Sequence, residues 1–124
     1  MISGMKRKTI IKHEDFMTPP DTITGRSEFF FIKTRLAKYP QDPRYGLVAS
    51  KRMFKLAVDR NHAKRLLRDW IEFNQDLMLP ALDYIFLATP KIFEAQRDKA
   101  RELMRKSLRR IAIIYRLHGN RKWE

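Results

Sequence analysis

A chain of 124 residues, with 27 Lys and Arg against 14 Asp and Glu and a formal net charge of +13, is long enough for one compact domain and too short for two independent cores. Cysteine is absent and there are three histidines, which excludes disulfides, thiolate nucleophiles and cysteine-based zinc sites; His13, His62 and His118 are too far apart in sequence for a local metal-ligand spacing. No apolar run can span a bilayer, no secretory h-region precedes Lys12, and so large a positive excess recruits polyanions and releases their counterions, so nucleic acid is the expected partner and the cytoplasm the expected compartment.

Residues 1–12 are basic and lack periodicity, and they read as a flexible tail, as do residues 119–124. A short helical or turn-like piece around His13 to Met17 runs into Pro19 and Pro20. These end any helix, because proline has no N–H to donate and pushes the residue before it out of the α region. Gly25 and Ser27 lead into a strand at 29–36 (FFFIKTRL), rich in aromatic and β-branched residues. Its alternation puts Phe30, Ile32, Thr34 and Leu36 on one face and Phe29, Phe31, Lys33 and Arg35 on the other. A loop (YPQDPR) follows, then a second strand at 45–50 (YGLVAS), expected antiparallel to the first.

At residue 59 the period changes from two to 3.6. Ala63, Leu66, Leu67, Trp70, Ile71, Asn74, Leu77 and Met78 mark one face of an amphipathic helix reaching about residue 79, with Asp59 as the expected N-cap. Pro80 closes it. The run at 84–89 (YIFLAT) has the continuous apolar character of a strand buried on both faces. A last helix, from about residue 94 to Gly119, carries Ala100, Leu103, Met104, Ser107, Leu108, Ile111, Ile114 and Tyr115 on one face and Arg97, Arg101, Arg105 and Arg109 on another. Trp70, Phe73, Tyr84, Phe86 and Met104 are assigned to the core. Strand, strand, helix, strand, helix in this order is the pattern of an α/β (α+β) two-layer sandwich.

The segment 50–68 (SKRMFKLAVDRNHAKRLLR) holds seven cations and one acid. Within its helical part Arg60, Lys64 and Arg68 recur every four residues, with Asn61 and Arg65 beside them, so one surface is polar and cationic while Ala63, Leu66, Leu67 and Trp70 turn inward. Such a row suits a phosphate backbone, since each guanidinium can fork two donors onto phosphate oxygens. Lys51, Arg52 and Lys55 extend it into the preceding turn. On the first strand, Phe29, Phe31, Lys33 and Arg35 interleave stacking surfaces with cations, which suits single-stranded nucleic acid.

Lys51-Arg52 after a strand, followed by Arg60-Asn61-His62-Ala63-Lys64-Arg65-Leu66-Leu67-Arg68, resembles the signature of the bacterial ribonuclease P protein component: a strand ending in Ser-Lys-Lys or Ala-Lys-Lys, then a helix of the form R-N-R-x-K-R-x-x-R. The likeness extends to His13-Glu14-Asp15-Phe16, which resembles the N-terminal helix of that family, and to the strands at 45–50 and 83–88. His62 departs from the pattern, standing where the family has the second Arg of its triplet. Pro19-Pro20 departs as well, falling where the family's first helix continues.

The resemblance implies a small mixed sheet with a left-handed βαβ crossover, against the usual right-handed preference. It also implies a role for each surface. Lys51, Arg52, Lys55, Arg60, Asn61, His62, Lys64, Arg65 and Arg68 would face a ribonuclease P RNA subunit. Phe16, with Phe29, Phe31, Lys33 and Arg35, would line a cleft for the 5′ leader of precursor tRNA. The RNA subunit, with Mg²⁺ bound mainly through RNA and substrate, would cut the phosphodiester bond, and the protein would strengthen substrate and metal binding. In keeping with this the chain has no nucleophile paired with a base, no phosphate-cradling glycine loop and no paired-carboxylate metal motif, so no catalytic or metal-ligating residue is assigned to it.

Other readings meet particular obstacles. A ribosomal-type RNA-binding protein shares the charge but has no need of this helix directly after a Ser-Lys-Arg strand end. A DNA-binding regulator ordinarily pairs its basic helix with another helix, whereas here it follows a strand. A membrane-surface protein could use the basic amphipathic last helix, but a small sandwich needs the same apolar face for its core.

Overall fold

The computed structural model of the chain describes residues 8–9, 23–37 and 44–118. Five strands occur among them: β1 (Lys8–Thr9), β2 (Thr24–Arg26), β3 (Phe30–Leu36), β4 (Arg44–Val48) and β5 (Leu82–Ala88). Two helices, α1 (Ala57–Phe73) and α2 (Arg97–His118), complete the fold, with short 3₁₀ segments at Gln75–Leu77 and Pro90–Glu94. The strands form one mixed sheet in the order β1-β4-β5-β3-β2. Mixed sheet and helices give the expected α/β sandwich, with Lys8–Thr9 adding a parallel partner for β4 at a position read from sequence as tail.

β4 does not pair with β3. β5 lies between them, antiparallel to β3 from Phe30↔Ala88 to Leu36↔Leu82 and parallel to β4 from Tyr45↔Tyr84 to Val48↔Leu87. The connection from β4 through α1 is long enough for a parallel crossover, which a hairpin turn is not. The central place goes to LDYIFLA, of which only Leu87 is not buried, as expected for a strand covered on both sides.

Both helices lie on one face of the sheet. Trp70 of α1 meets Phe30 of β3 with ring centres 6.2 Å apart and planes at 56°. α2 crosses β2 so closely that a Cβ on Gly25 would lie 3.3 Å from Ser107 Cβ and 3.4 Å from Ile111 Cδ1. Ala63, Leu67, Trp70 and Ile71 of α1, with Ala100, Met104, Leu108 and Ile111 of α2, join Phe30, Ile32, Tyr84 and Phe86 in one buried cluster. At about 25 cal/mol per Å² of apolar surface removed from water, this shared layer is the main force holding helices to sheet.

α1 departs from the sequence expectation at both ends, and one residue assigned to the core is exposed. α1 starts at Ala57, with Leu56 at the N-cap and no side-chain cap; Asp59 sits inside the first turn, where its charge complements the helix dipole. The helix ends at Phe73 because Asn74 leaves the helical conformation. Asn74, the polar residue on the apolar face, is 1% exposed, and its Nδ2 donates to the carbonyl oxygens of Trp70 at 3.1 Å and Arg101 at 3.0 Å, tying the end of α1 to α2. Phe73 is not core. It is 49% exposed, with the Arg101 guanidinium 4.4 Å from its ring centre, because at about 100° per residue it falls beyond Trp70, roughly 110° from the middle of the buried face formed by Ala63, Leu67, Trp70 and Ile71.

Candidate nucleic-acid interface

The chain between β4 and α1 folds into a compact turn. Ser50 Oγ accepts the Met53 N–H at 3.2 Å, and the Phe54 N–H reaches Ser50 O at 2.9 Å. Phe54, 4% exposed, plugs the turn into the core and leaves Lys51, Arg52 and Lys55 exposed. Arg60 is turned back onto this loop: its Nη1 donates to Phe54 O at 2.8 Å and to Lys55 O at 3.1 Å. A guanidinium read from sequence as one of a row of phosphate ligands thus also braces the turn that carries three other cations.

Along α1, Asn61, His62, Arg65 and Arg68 are exposed, whereas Arg60 and Lys64 are half-buried. The grading follows from helix geometry, since Arg60 and Lys64 lie nearest the buried side at about 100° per residue. The ion pairs among the described residues join Arg35 and Arg44 to Asp83, and Arg101 to Asp69; the cations of the α1 row are not among them. The charges of Arg65 and Arg68 face solvent and its counterions, the state from which phosphate binding gains most.

A second cationic surface lies on the sheet face turned away from both helices. Register places Arg26 opposite Phe31 and Thr24 opposite Lys33. The Arg26 guanidinium stands 5.1 Å and the Lys33 ammonium 5.7 Å from the Phe31 ring centre, so a half-buried aromatic ring is flanked by two cations. Arg35 continues the row and donates from Nη2 to Asp83 Oδ2 at 3.5 Å. Phe29 does not share this face. It precedes the strand, where the alternation does not yet apply, and at 7% exposed it joins the core. Phe16 lies outside the described residues.

Three residues on these surfaces were not singled out from sequence. Arg26 and Arg44 owe their places to strand pairing, which local pattern does not encode. Phe93, on the 3₁₀ turn after β5, stacks on His62, and no periodicity marks it. Among the described residues no group of three His, Cys, Asp or Glu side chains is placed to hold a metal ion, and no helix is long and apolar enough to cross a membrane.

The arrangement has counterparts in known proteins. The family model described as Ribonuclease P matches residues 6–112. The Ribonuclease P protein component of Pseudomonas putida is 40% identical over 97 residues, covering 78% of this chain and 70% of the relative. That of Pseudomonas entomophila is 39% identical over 96 residues, covering 77% and 69%. The RNase P protein of Staphylococcus aureus has the same fold, with a TM-score of 0.62 at 24% identity over 88% of this chain and 95% of that one. The protein from Thermotoga maritima gives a TM-score of 0.58 at 24% identity over 70% and 81%. With a family match over most of its length and relatives of this identity, the chain belongs to the ribonuclease P protein component family.

Proposed function

We propose that this chain is the protein subunit of a cytoplasmic ribonuclease P, in which a catalytic RNA removes the 5′ leader from precursor tRNA. The observation that carries the reading is the presence of two cationic surfaces of different character on one small fold. The α1 row with its turn offers exposed cations for phosphates and suits the RNA subunit. The sheet face away from the helices sets Phe31 between Arg26 and Lys33, which suits the stacked bases and charged backbone of a single-stranded leader.

In this reading the protein's residues position RNA and lower repulsion between phosphates. Lys51, Arg52, Lys55, Asn61, Lys64, Arg65 and Arg68 hold the RNA subunit, with Arg60 keeping their turn in shape. Phe31, Lys33 and Arg35, together with Phe16, hold the leader. Mg²⁺ is bound through the RNA and its substrate, and the protein aids its binding by neutralising nearby charge. The test is to mix the chain with its own ribonuclease P RNA and a 5′-labelled precursor tRNA, at Mg²⁺ too low for the RNA to act alone. Release of the leader at one position, requiring both components, is expected. Tight, salt-sensitive RNA binding without cleavage would make it a general RNA-binding protein instead.

A further inference from the structure

Three rings stand in sequence at the start of α1. His62 is stacked on Phe93, with ring centres 5.0 Å apart and planes at 25°. Phe93 in turn meets Phe54 edge-on, at 5.7 Å and 80°. Phe54 belongs to the buried core, whereas Phe93 is 40% exposed and His62 is exposed. The buried ring meets the half-exposed one in a T-shaped contact, a favoured aromatic geometry, and Phe93 holds the imidazole nearly parallel to itself. Below them Ile92, fully buried, roots the 3₁₀ turn that carries Phe93, and the Ile92 N–H bonds to Thr89 O at 3.0 Å. The result is a flat ring pair at the surface, held from beneath.

Its surroundings are cationic. Lys55 follows Phe54, Lys91 shares the 3₁₀ turn with Phe93, and Arg65 lies one helical turn beyond His62; all three are exposed. A surface that bound phosphates alone would need the cations and have no use for a fixed aromatic plane. Stacking surface plus cations is the pairing that takes up unpaired nucleotides, because every base has a π-face and every nucleotide a phosphate.

We propose that His62 and Phe93 form a stacking platform for one unpaired base of the RNA that the α1 surface binds. A base laid on the outer face of His62 extends the stack to three rings, and its phosphate falls within the field of Lys55, Lys91 and Arg65. This rests on the reading of α1 as the RNA-subunit surface, and it adds a base contact to what would otherwise be binding to backbone alone.

The test uses the full chain and its own ribonuclease P RNA, with affinity measured over a series of salt concentrations. Phe93→Leu and His62→Ala are each expected to weaken binding roughly five- to hundredfold, the range for loss of one stacked base. The slope of affinity against salt should stay as in the wild type, since no phosphate contact is removed. Phe93→Trp should retain affinity, and the double variant should be no weaker than the weaker single one, because the two rings act as one stack. Unchanged affinity in folded Phe93→Leu, with Arg65→Ala still weakening binding, overturns the platform alone and leaves the rings to some other partner. A reduced salt slope in either ring variant also overturns it. His62 is on the helix surface, so His62→Ala carries the same test if Phe93→Leu fails to fold. A wild-type chain that does not bind this RNA in a salt-dependent way overturns both the platform and the reading on which it rests.

Discussion

Asp83 and Arg44 are joined twice, by Arg44 Nη2 donating to Asp83 Oδ2 at 3.3 Å and by the Arg44 backbone N–H donating to Asp83 Oδ1 at 3.3 Å. Arg35 shares the same carboxylate, so one fully buried anion on β5 holds a cation from the strand on either side of it. The two guanidinium side chains are each 14% exposed, and solvent screening of the group is therefore weak. Asp83→Asn keeps the shape and removes the charge between two cations. It is expected to lower unfolding free energy by on the order of 3 kcal/mol, read from urea denaturation at unchanged m-value; a change below about 0.5 kcal/mol would mean that the carboxylate contributes shape alone.

Arg60 and Arg65 should separate structure from binding. Arg60→Ala removes two hydrogen bonds from a charged donor to the turn at Phe54 and Lys55, and a stability loss of about 1–2 kcal/mol is expected. Exposed Arg65, replaced by Ala, should leave the melting temperature within error and reduce RNA affinity. Equal thermal stability of the two variants would show that the brace is not needed to hold the turn.

The row on α1 should act through charge. Lys64→Ala, Arg65→Ala and Arg68→Ala combined are expected to weaken binding to the ribonuclease P RNA and to flatten its salt dependence by roughly one unit of slope for each phosphate no longer neutralised. Weaker binding at an unaltered slope would mean that these side chains do not touch phosphate.

Phe31 offers a test of the other surface. Phe31→Leu keeps an apolar side chain and loses the ring between Arg26 and Lys33. Affinity for precursor tRNA in the presence of the RNA subunit should fall roughly five- to tenfold or more, and that for mature tRNA should not. An equal loss for both substrates would count against a leader contact.

Asn74 joins the helices from inside. Asn74→Ala removes the bonds to Trp70 O and Arg101 O that tie the end of α1 to α2, with an expected loss of about 2 kcal/mol and no effect on RNA affinity at temperatures where the protein is folded. The nearby Asp69–Arg101 pair is more exposed. The hydrogen bond from Arg101 to the Asp69 carboxylate raises the guanidinium pKa above its ordinary value, against a smaller opposing effect of desolvation. Because the pair is solvent-screened, its loss in Asp69→Asn should leave the melting temperature close to that of the wild type.

What the amino-acid sequence by itself determined is what repeats locally. The charge excess is a matter of composition, and the alternation at Phe30 to Arg35, the helical period from Ala63 to Ile71 and the spacing of Asn61, Arg65 and Arg68 along α1 are each set by neighbours within a few residues and appear in the folded chain on the expected face. The family signature at Lys51-Arg52 and Arg60 to Arg68 belongs to the same class, because a helix presents such spacing whatever it packs against. Tertiary structure decided what depends on pairing between distant segments. Sheet order set β5 between β3 and β4 and so brought Arg35 and Arg44 onto Asp83. Burial of Phe29, exposure of Phe73 and the return of Arg60 to its own turn were settled by which surface lay opposite each side chain. His62 and Phe93 are 31 positions apart in sequence and meet because α1 and the turn after β5 leave the same end of the sheet, a proximity that no local period encodes.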